Sequence, residues 1–158
     1  MVDLRVLSDD DWKLWRELRL AALAEAPYAF GSTLADWQDA GEDKWRDRLR
    51  IARALDLVAY LGEEPVGMAS GVPAGPGAIE VISVWVSPAG RGHGVGDALI
   101  GAIADWASTS GATVVRLSVR ADNAAAIRLY ERAEFVHFGP NDEDPDEILM
   151  ERTLPGAP

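Results

Sequence analysis

The sequence lacks cysteine altogether and has only two histidines, His93 and His137, among its 158 residues. Without thiols the chain cannot form disulfides, thiolate metal sites or an acyl-cysteine intermediate. Two histidines are too few for a multi-histidine metal centre, so we expect no metal. No apolar run approaches the roughly 20 residues of a membrane-spanning helix, and a polar run at 8–11 argues against a secretory signal. These absences predict a cytoplasmic protein without a membrane partner.

Positive charge is also scarce, because 15 lysines and arginines face 26 acidic residues, for a formal net charge of −11. Such a surface repels a phosphate backbone, so nucleic acid is not an expected partner. The same excess attracts a cationic small molecule or a basic peptide, although a merely solvated surface would have the same composition. The length and the 48% hydrophobic content predict one folded domain over residues 1–158.

Hydrophobic periodicity predicts an α/β (α+β) fold with a mixed sheet. Strands are predicted over residues 2–7, 56–61, 65–72, 79–86, 113–119, 134–139 and 148–154. Helices are predicted after Ser8 or Asp9, over residues 34–54, from the glycine-rich stretch to about 110, and over 123–133. The helix over 34–54 is either continuous or interrupted at Gly41. Buried faces are predicted at Trp12, Trp15, Leu18, Arg19 and Ala22 of the first helix, and at Trp37, Trp45, Leu49 and Ala52 of the second.

A glycine-rich segment, 90–96, follows the strand at 79–86 and leads into a helix. A helix N-terminus offers unpaired N–H groups and a positive dipole end, and glycine lets a phosphate approach the backbone, so the segment suits a diphosphate. Taken alone, the glycines fit a tight structural turn equally well. A Walker loop is excluded because Asp97 follows Gly96 where lysine would be needed, and a dinucleotide fingerprint because 111–119 holds no carboxylate.

A second informative stretch holds Asn123 and Tyr130, which are two helical turns apart and therefore share one face. If that face borders a cleft, an amide and a phenol reach the same ligand. In the alternative interpretation, Asn123 caps the helix and Tyr130 packs in the core.

Together the two stretches resemble the GNAT superfamily of acetyl-CoA-dependent N-acetyltransferases. Residues Arg91 to Gly96 are similar to its (Gln/Arg)-x-x-Gly-x-(Gly/Ala) pyrophosphate loop. The second stretch, with Asn123, Ala126, Leu129-Tyr130-Glu131 and Phe135, is similar to its second signature, although Glu134 stands where glycine is usual. The resemblance implies a central mixed sheet of about seven strands with a splayed parallel pair and helices on both faces.

The resemblance also implies acetyl-CoA or coenzyme A as cofactor, and roles for particular residues. The implied cofactor-binding residues are Val84, Trp85, Val86, Arg91, Gly92, His93, Gly94, Val95, Gly96, Asn123 and Tyr130. Tyr130 corresponds to the usual general acid, and Glu80 occupies the place where several members carry a general base. We expect Glu80 on the strand face of Ile82 and Val84, where apolar surroundings would raise its pKa.

The implied reaction is direct attack of a primary amine on the thioester in a ternary complex. Tyr28 and Phe30, together with the acidic loop predicted at 141–147, frame the acceptor cleft and favour a cationic small-molecule amine. The alternatives are a protein or peptide Nα- or lysine acetyltransferase, a non-catalytic acyl-CoA sensor on the same fold, and a nucleotide-binding module. A homodimer is compatible with the resemblance.

Overall fold

A computed structural model describes residues 1–26 and 33–155. The strands are β1 (Val2–Val6), β2 (Leu55–Leu61), β3 (Glu64–Pro73), β4 (Ala78–Val86), β5 (Val114–Arg120), β6 (Val136–Asn141) and β7 (Asp144–Thr153). The helices are α1 (Trp12–Glu25), α2 (Leu34–Trp37), α3 (Glu42–Arg48), α4 (Val95–Thr109) and α5 (Ala124–Arg132). The strands form one seven-stranded sheet in the order β1-β2-β3-β4-β5-β7-β6.

The sheet is mixed, because β4 and β5 run parallel while the other neighbouring pairs are antiparallel. The parallel pair is joined through α4, as a β-α-β crossover requires. The predicted fold class, a mixed sheet of about seven strands with one parallel pair, is therefore confirmed.

Helices cover both faces of the sheet and bury two separate clusters of apolar side chains. On one face, α4 and α5 pack on the central strands through residues such as Leu99, Ile103 and Tyr130. On the other, α1 and α3 pack on β2–β4 around Trp15 and Trp45. The face to which a β4 side chain points therefore decides which cluster it joins.

The first helix follows its prediction closely. Ser8 caps a short 3-10 turn that leads into α1, with a reciprocal hydrogen bond between its backbone N–H and the carboxylate of Asp11. The predicted buried face is found at Trp15, Leu18, Arg19 and Ala22, whereas Trp12 is only half-buried.

The segment predicted as a helix over 34–54 is interrupted at Gly41, as the sequence left open, and folds as α2 and α3; its predicted end at 54 is wrong. Thr33 begins α2 with a second capping box to Asp36, and Gly41 then begins α3 in an extended conformation. The helix ends at Arg48, so Ala52 is exposed rather than buried. Two N-terminal capping signals within ten residues outweigh the continuous helical periodicity.

The acidic loop predicted at 141–147 is a β-hairpin end, since β6 continues to Asn141 and β7 begins at Asp144. The side chains of these two residues accept hydrogen bonds from the backbone N–H groups of Glu143 and Asp146, both at 2.9 Å. Such Asx turns let polar residues close a tight hairpin. Most of the acidic side chains therefore project from a paired hairpin rather than from a free loop.

A β-bulge interrupts β4 at Ser83. Ser83 and Val84 together oppose the single residue Ala69 of β3, and Ser83 takes a left-handed φ of 57°. The bulge reverses the alternation of β4, so that Val81 and Val84 both pack toward α4 and α5, while Trp85 packs toward α1.

A buried polar network holds this bulge from the α3 side. The Arg48 guanidinium donates to Asp56 at 3.1 Å, to Ser70 at 3.0 Å and to the Ser83 hydroxyl at 3.1 Å. Ser70 in turn donates to Asp56 at 2.6 Å. The extra residue of the bulge thus gains a hydrogen-bonded partner where a regular ladder is lost.

Candidate active site

The central feature of the site is a cleft where β4 and β5 diverge. Within the described residues, pairing of the two strands is confined to Ala78–Glu80 with Val114–Arg116. Beyond it the strands enclose a cavity of about 490 Å³, which we call the cleft. It is lined by Glu25, Ala26, Val81, Ile82, Ser83, Val84, Trp85, Val86, Arg91, Ser118, Val119, Arg120, Asn123, Ala125, Ala126, Leu129 and Tyr130.

The glycine-rich segment forms a second, adjoining cavity of about 500 Å³ at the start of α4, which we call the loop cavity. Gly92 and Gly94 adopt left-handed conformations, with φ of 80° and 77°, and a Cβ at either would meet nothing within 4 Å. Their positions therefore need glycine for backbone conformation, and the space beside them is open to a ligand. Gly96 has a different reason, because a Cβ there would lie 2.9 Å from Leu129 of α5.

Two ion pairs surround this loop. Arg91 pairs with Glu25 at the end of α1, and its Nε also donates to the carbonyl oxygen of Val86 at 3.2 Å. Asp97, in the first turn of α4, pairs with Arg132 of α5 at 3.2 Å. The negative charge that Asp97 brings to the helix N-terminus is therefore offset by a neighbouring guanidinium.

The three β4 residues predicted to bind the cofactor expose different parts to the cleft. The Trp85 side chain is buried against α1, and its indole Nε1 lies 3.5 Å from Glu25, to which it donates. Val84 and Val86 are half-buried against the α4 side. Because β5 no longer pairs with this part of β4, the β4 edge is free for an extended ligand to add as a strand would.

Asn123 and Tyr130 both line the cleft, and they also have the structural roles of the alternative interpretation. The Asn123 Oδ1 caps α5 by accepting from the Ala126 N–H at 3.2 Å, which leaves the amide Nδ2 as the donor of that side chain. Tyr130 is buried, and its ring packs beside Phe135 with centroids 6.1 Å apart. Burial raises the pKa of the Tyr130 phenol well above its usual range, so the hydroxyl stays protonated.

Glu80 lies beside the cleft, and its expected orientation is corrected. It shares a face with Ile82, as predicted, but the bulge turns Val84 to the opposite face. The residues that line the described cleft include Ile82 and not Glu80. The carboxyl group is half-buried, and burial, with a smaller contribution from the Glu143 carboxylate, raises the pKa of Glu80. The pKa of Glu80 is therefore raised, as expected from the sequence, although its side chain does not line the cleft.

The remaining predicted residues divide into three groups. His93 is exposed on the loop, and Val95 is buried, so only its backbone can face the loop cavity. Tyr28 and Phe30 lie outside the described residues.

The sequence did not point to Glu25 and Ser83, since a carboxylate at a helix end and a serine within a strand belong to no recognisable motif.

The sequence matches the model of the Acetyltransferase (GNAT) family over residues 13–135. This match spans most of the chain, and the chain belongs to that family. Acetyl-CoA is the donor that membership implies, in agreement with the sequence prediction. Within residues 1–26 and 33–155, every helix is too short or too polar to span a bilayer.

Named relatives include the mycothiol acetyltransferase of Renibacterium salmoninarum, 33% identical over 82% of this chain and 39% of that protein. A second, from Kocuria rhizophila, is 32% identical over 79% of this chain and 42% of its own length. The chain thus spans about two fifths of the length of these two relatives.

Solved structures share the fold at lower identity. A ribosomal-protein-alanine N-acetyltransferase from Brucella melitensis is 23% identical, with a TM-score of 0.77 over 96% of this chain and 99% of that one. An acetyltransferase from Salmonella typhimurium, determined with acetyl-CoA, is 22% identical, with a TM-score of 0.77 over 98% and 94%. At identities of 22–23%, this similarity shows a shared fold and nothing more.

Proposed function

We propose that the protein transfers an acetyl group from acetyl-CoA to a primary amine, by direct attack in a ternary complex. The observation that carries the proposal is that the two cavities adjoin. The loop cavity contains Gly92 and Gly94 in left-handed conformations at the N-terminus of α4, and the cleft contains the unpaired edge of β4 and Tyr130. A nucleotide-binding module would not need the opened edge.

The residues present fit the donor. Backbone N–H groups of 91–96 would hold the diphosphate, where the open space beside Gly92 and Gly94 leaves room for it. The unpaired β4 edge at 84–86 would hold the pantetheine arm, and one of its N–H groups would stabilise negative charge on the thioester oxygen. When bound, the donor supplies the activated acetyl group.

Two side chains would move or hold protons. The Tyr130 hydroxyl, kept protonated by burial, would donate to the departing thiolate sulfur. Glu80 would accept the proton of the attacking amine through a water, and its raised pKa makes it a stronger base than an exposed carboxylate. A chain without cysteine offers no acyl-cysteine route, which favours the direct attack.

For the acceptor we propose a cationic small-molecule amine. Glu25 lines the cleft, and Glu143, at the end of the acidic hairpin, lies near enough to Glu80 to raise its pKa. The net charge of −11 adds a long-range attraction for cations. The relatives from Renibacterium salmoninarum and Kocuria rhizophila, 33% and 32% identical, are named mycothiol acetyltransferases, which favours a small molecule over a protein N-terminus.

Replacement of Tyr130 by phenylalanine tests the mechanism. In an acetyl-transfer assay over a panel of amines, Tyr130→Phe should lower the turnover number by roughly 10- to 10³-fold, while coenzyme A binding persists. Tyr60→Phe is the matched control, since Tyr60 is a second buried tyrosine, on the α1 side of the sheet. Unchanged turnover in Tyr130→Phe would remove the phenol from the mechanism. Coenzyme A binding without turnover of any amine by the wild-type chain would favour the non-catalytic sensor.

A further inference from the structure

The ion pair between Glu25 and Arg91 connects the last residue of α1 to the first residue of the glycine loop. Glu25 is fixed at both oxygens, because one accepts from the Arg91 guanidinium and the other from the Trp85 indole. Arg91 is itself anchored by the Val86 carbonyl oxygen at 3.2 Å. The pair is open to solvent, with 31% of the Glu25 side chain and 53% of the Arg91 side chain exposed.

Arg91 also occupies the passage between the cleft and the loop cavity. Four described residues line both cavities, and Arg91 is the only charged one among them; the others are Val86, Ala125 and Leu129. Under the proposed function, a donor with its diphosphate in the loop cavity and its pantetheine arm in the cleft must pass this guanidinium.

We propose that Glu25 sets the affinity for the donor by competing with its diphosphate for Arg91. A guanidinium fork pairs well with a carboxylate or with a phosphate, and here the carboxylate already holds it. Donor binding therefore exchanges one anionic partner of Arg91 for another, and the affinity reflects the difference between the two pairs. This inference rests on the proposed function, since it concerns the same donor.

The competing interpretation makes Glu25 a support that aims Arg91 at the phosphates. The two interpretations predict opposite changes in donor affinity when Glu25 is removed. If Glu25 competes for Arg91, the donor should bind more tightly, whereas if Glu25 positions Arg91, the donor should bind more weakly. A third possibility, simple repulsion between Glu25 and the diphosphate, also predicts tighter binding but does not depend on Arg91.

Calorimetric titration with coenzyme A separates these outcomes in a double-mutant cycle of Glu25→Gln, Arg91→Gln and the double variant. Competition predicts that Glu25→Gln lowers the dissociation constant by roughly 2- to 5-fold, the scale of a largely exposed ion pair. The gain should disappear when Arg91 is already glutamine. Pantetheine, which lacks the diphosphate, should bind equally to the wild-type and Glu25→Gln proteins. Glu17→Gln removes the same charge from an exposed position of the same helix and should leave the dissociation constant unchanged.

Weaker or unchanged binding of coenzyme A by Glu25→Gln would overturn the inference while leaving the proposed function in place. A gain that persists in full beside Arg91→Gln would also overturn it, in favour of simple repulsion. Failure of the wild-type chain to bind coenzyme A at all would overturn the proposed function and this inference with it. Circular dichroism of all five proteins shows whether each is folded.

Discussion

At the scale of single residues, Glu80 has the electrostatic environment that a general base needs. Its carboxyl group is half-buried on β4, and both causes of its shift, burial and the nearby Glu143 carboxylate, raise its pKa. A base acts in its ionised form, so the rate should rise as the pH increases through this raised value.

Replacement of Glu143 therefore predicts a shift of the pH profile. Glu143→Gln removes the smaller of the two causes, lowers the pKa of Glu80 and moves the acidic limb of kcat/KM to lower pH. Glu80→Gln should abolish that limb and reduce the rate by roughly 10²- to 10⁴-fold, the usual contribution of a general base. The measurement is kcat/KM between pH 4 and 9, with Asp105→Asn on the exposed side of α4 as the charge control. A limb that stays in place in Glu80→Gln would assign it to another group.

At the scale of elements, the bulge in β4 depends on the buried network below it. Only 12% of the Arg48 side chain and 3% of the Asp56 side chain are exposed, so the pair is shielded from water. Removing one partner of a buried pair leaves the other charge uncompensated, which costs more than the pair itself contributes.

Arg48→Met should accordingly destabilise the protein by about 3–5 kcal/mol. Arg50→Met is the matched control, because the Arg50 side chain is 51% exposed in its pair with Asp9 and its loss should cost less than about 1 kcal/mol. Urea denaturation followed by circular dichroism measures both. Equal stabilities of the two variants would show that the buried network contributes nothing.

Local signals in the sequence predicted most elements, because capping residues and periodicity act over one or two turns. The helix after Ser8 and the glycine loop before α4 are of this kind. The bulge at Ser83 could not be predicted, because a serine in a left-handed conformation is stabilised by a side chain 35 positions away. The Glu25–Arg91 pair was missed for the same reason, since tertiary contacts bring together residues that share no motif.

At the scale of the whole molecule, the opening of the sheet and the excess of negative charge have different parts in the proposed function. The opening between β4 and β5 would hold the extended donor, whereas the net charge of −11 would attract a cationic acceptor from a distance. Long-range attraction of this kind is screened by salt.

The charge predicts a salt-dependent preference among amines. At low ionic strength, kcat/KM for a diamine carrying two positive charges should exceed that for a zwitterionic amine of similar size by roughly 10-fold or more, and the ratio should fall as salt is added. Initial rates at about 0.02 and 0.5 M sodium chloride, where the Debye length falls from about 20 Å to about 4 Å, test this. A ratio that does not change with salt would show that local contacts, and not the overall field, select the acceptor.

Calorimetric titration with acetyl-CoA can test whether the glycine loop at the start of α4 binds the diphosphate, as proposed. Gly94 and Gly111 stand at opposite ends of α4 with left-handed φ of 77° and 87°, and a Cβ at either meets nothing within 4 Å. Valine at either position carries a similar backbone strain, but only Gly94→Val places a side chain at the loop cavity. We expect micromolar binding of acetyl-CoA by the wild-type and Gly111→Val proteins and its loss in Gly94→Val. Equal binding by all three proteins would contradict the proposal.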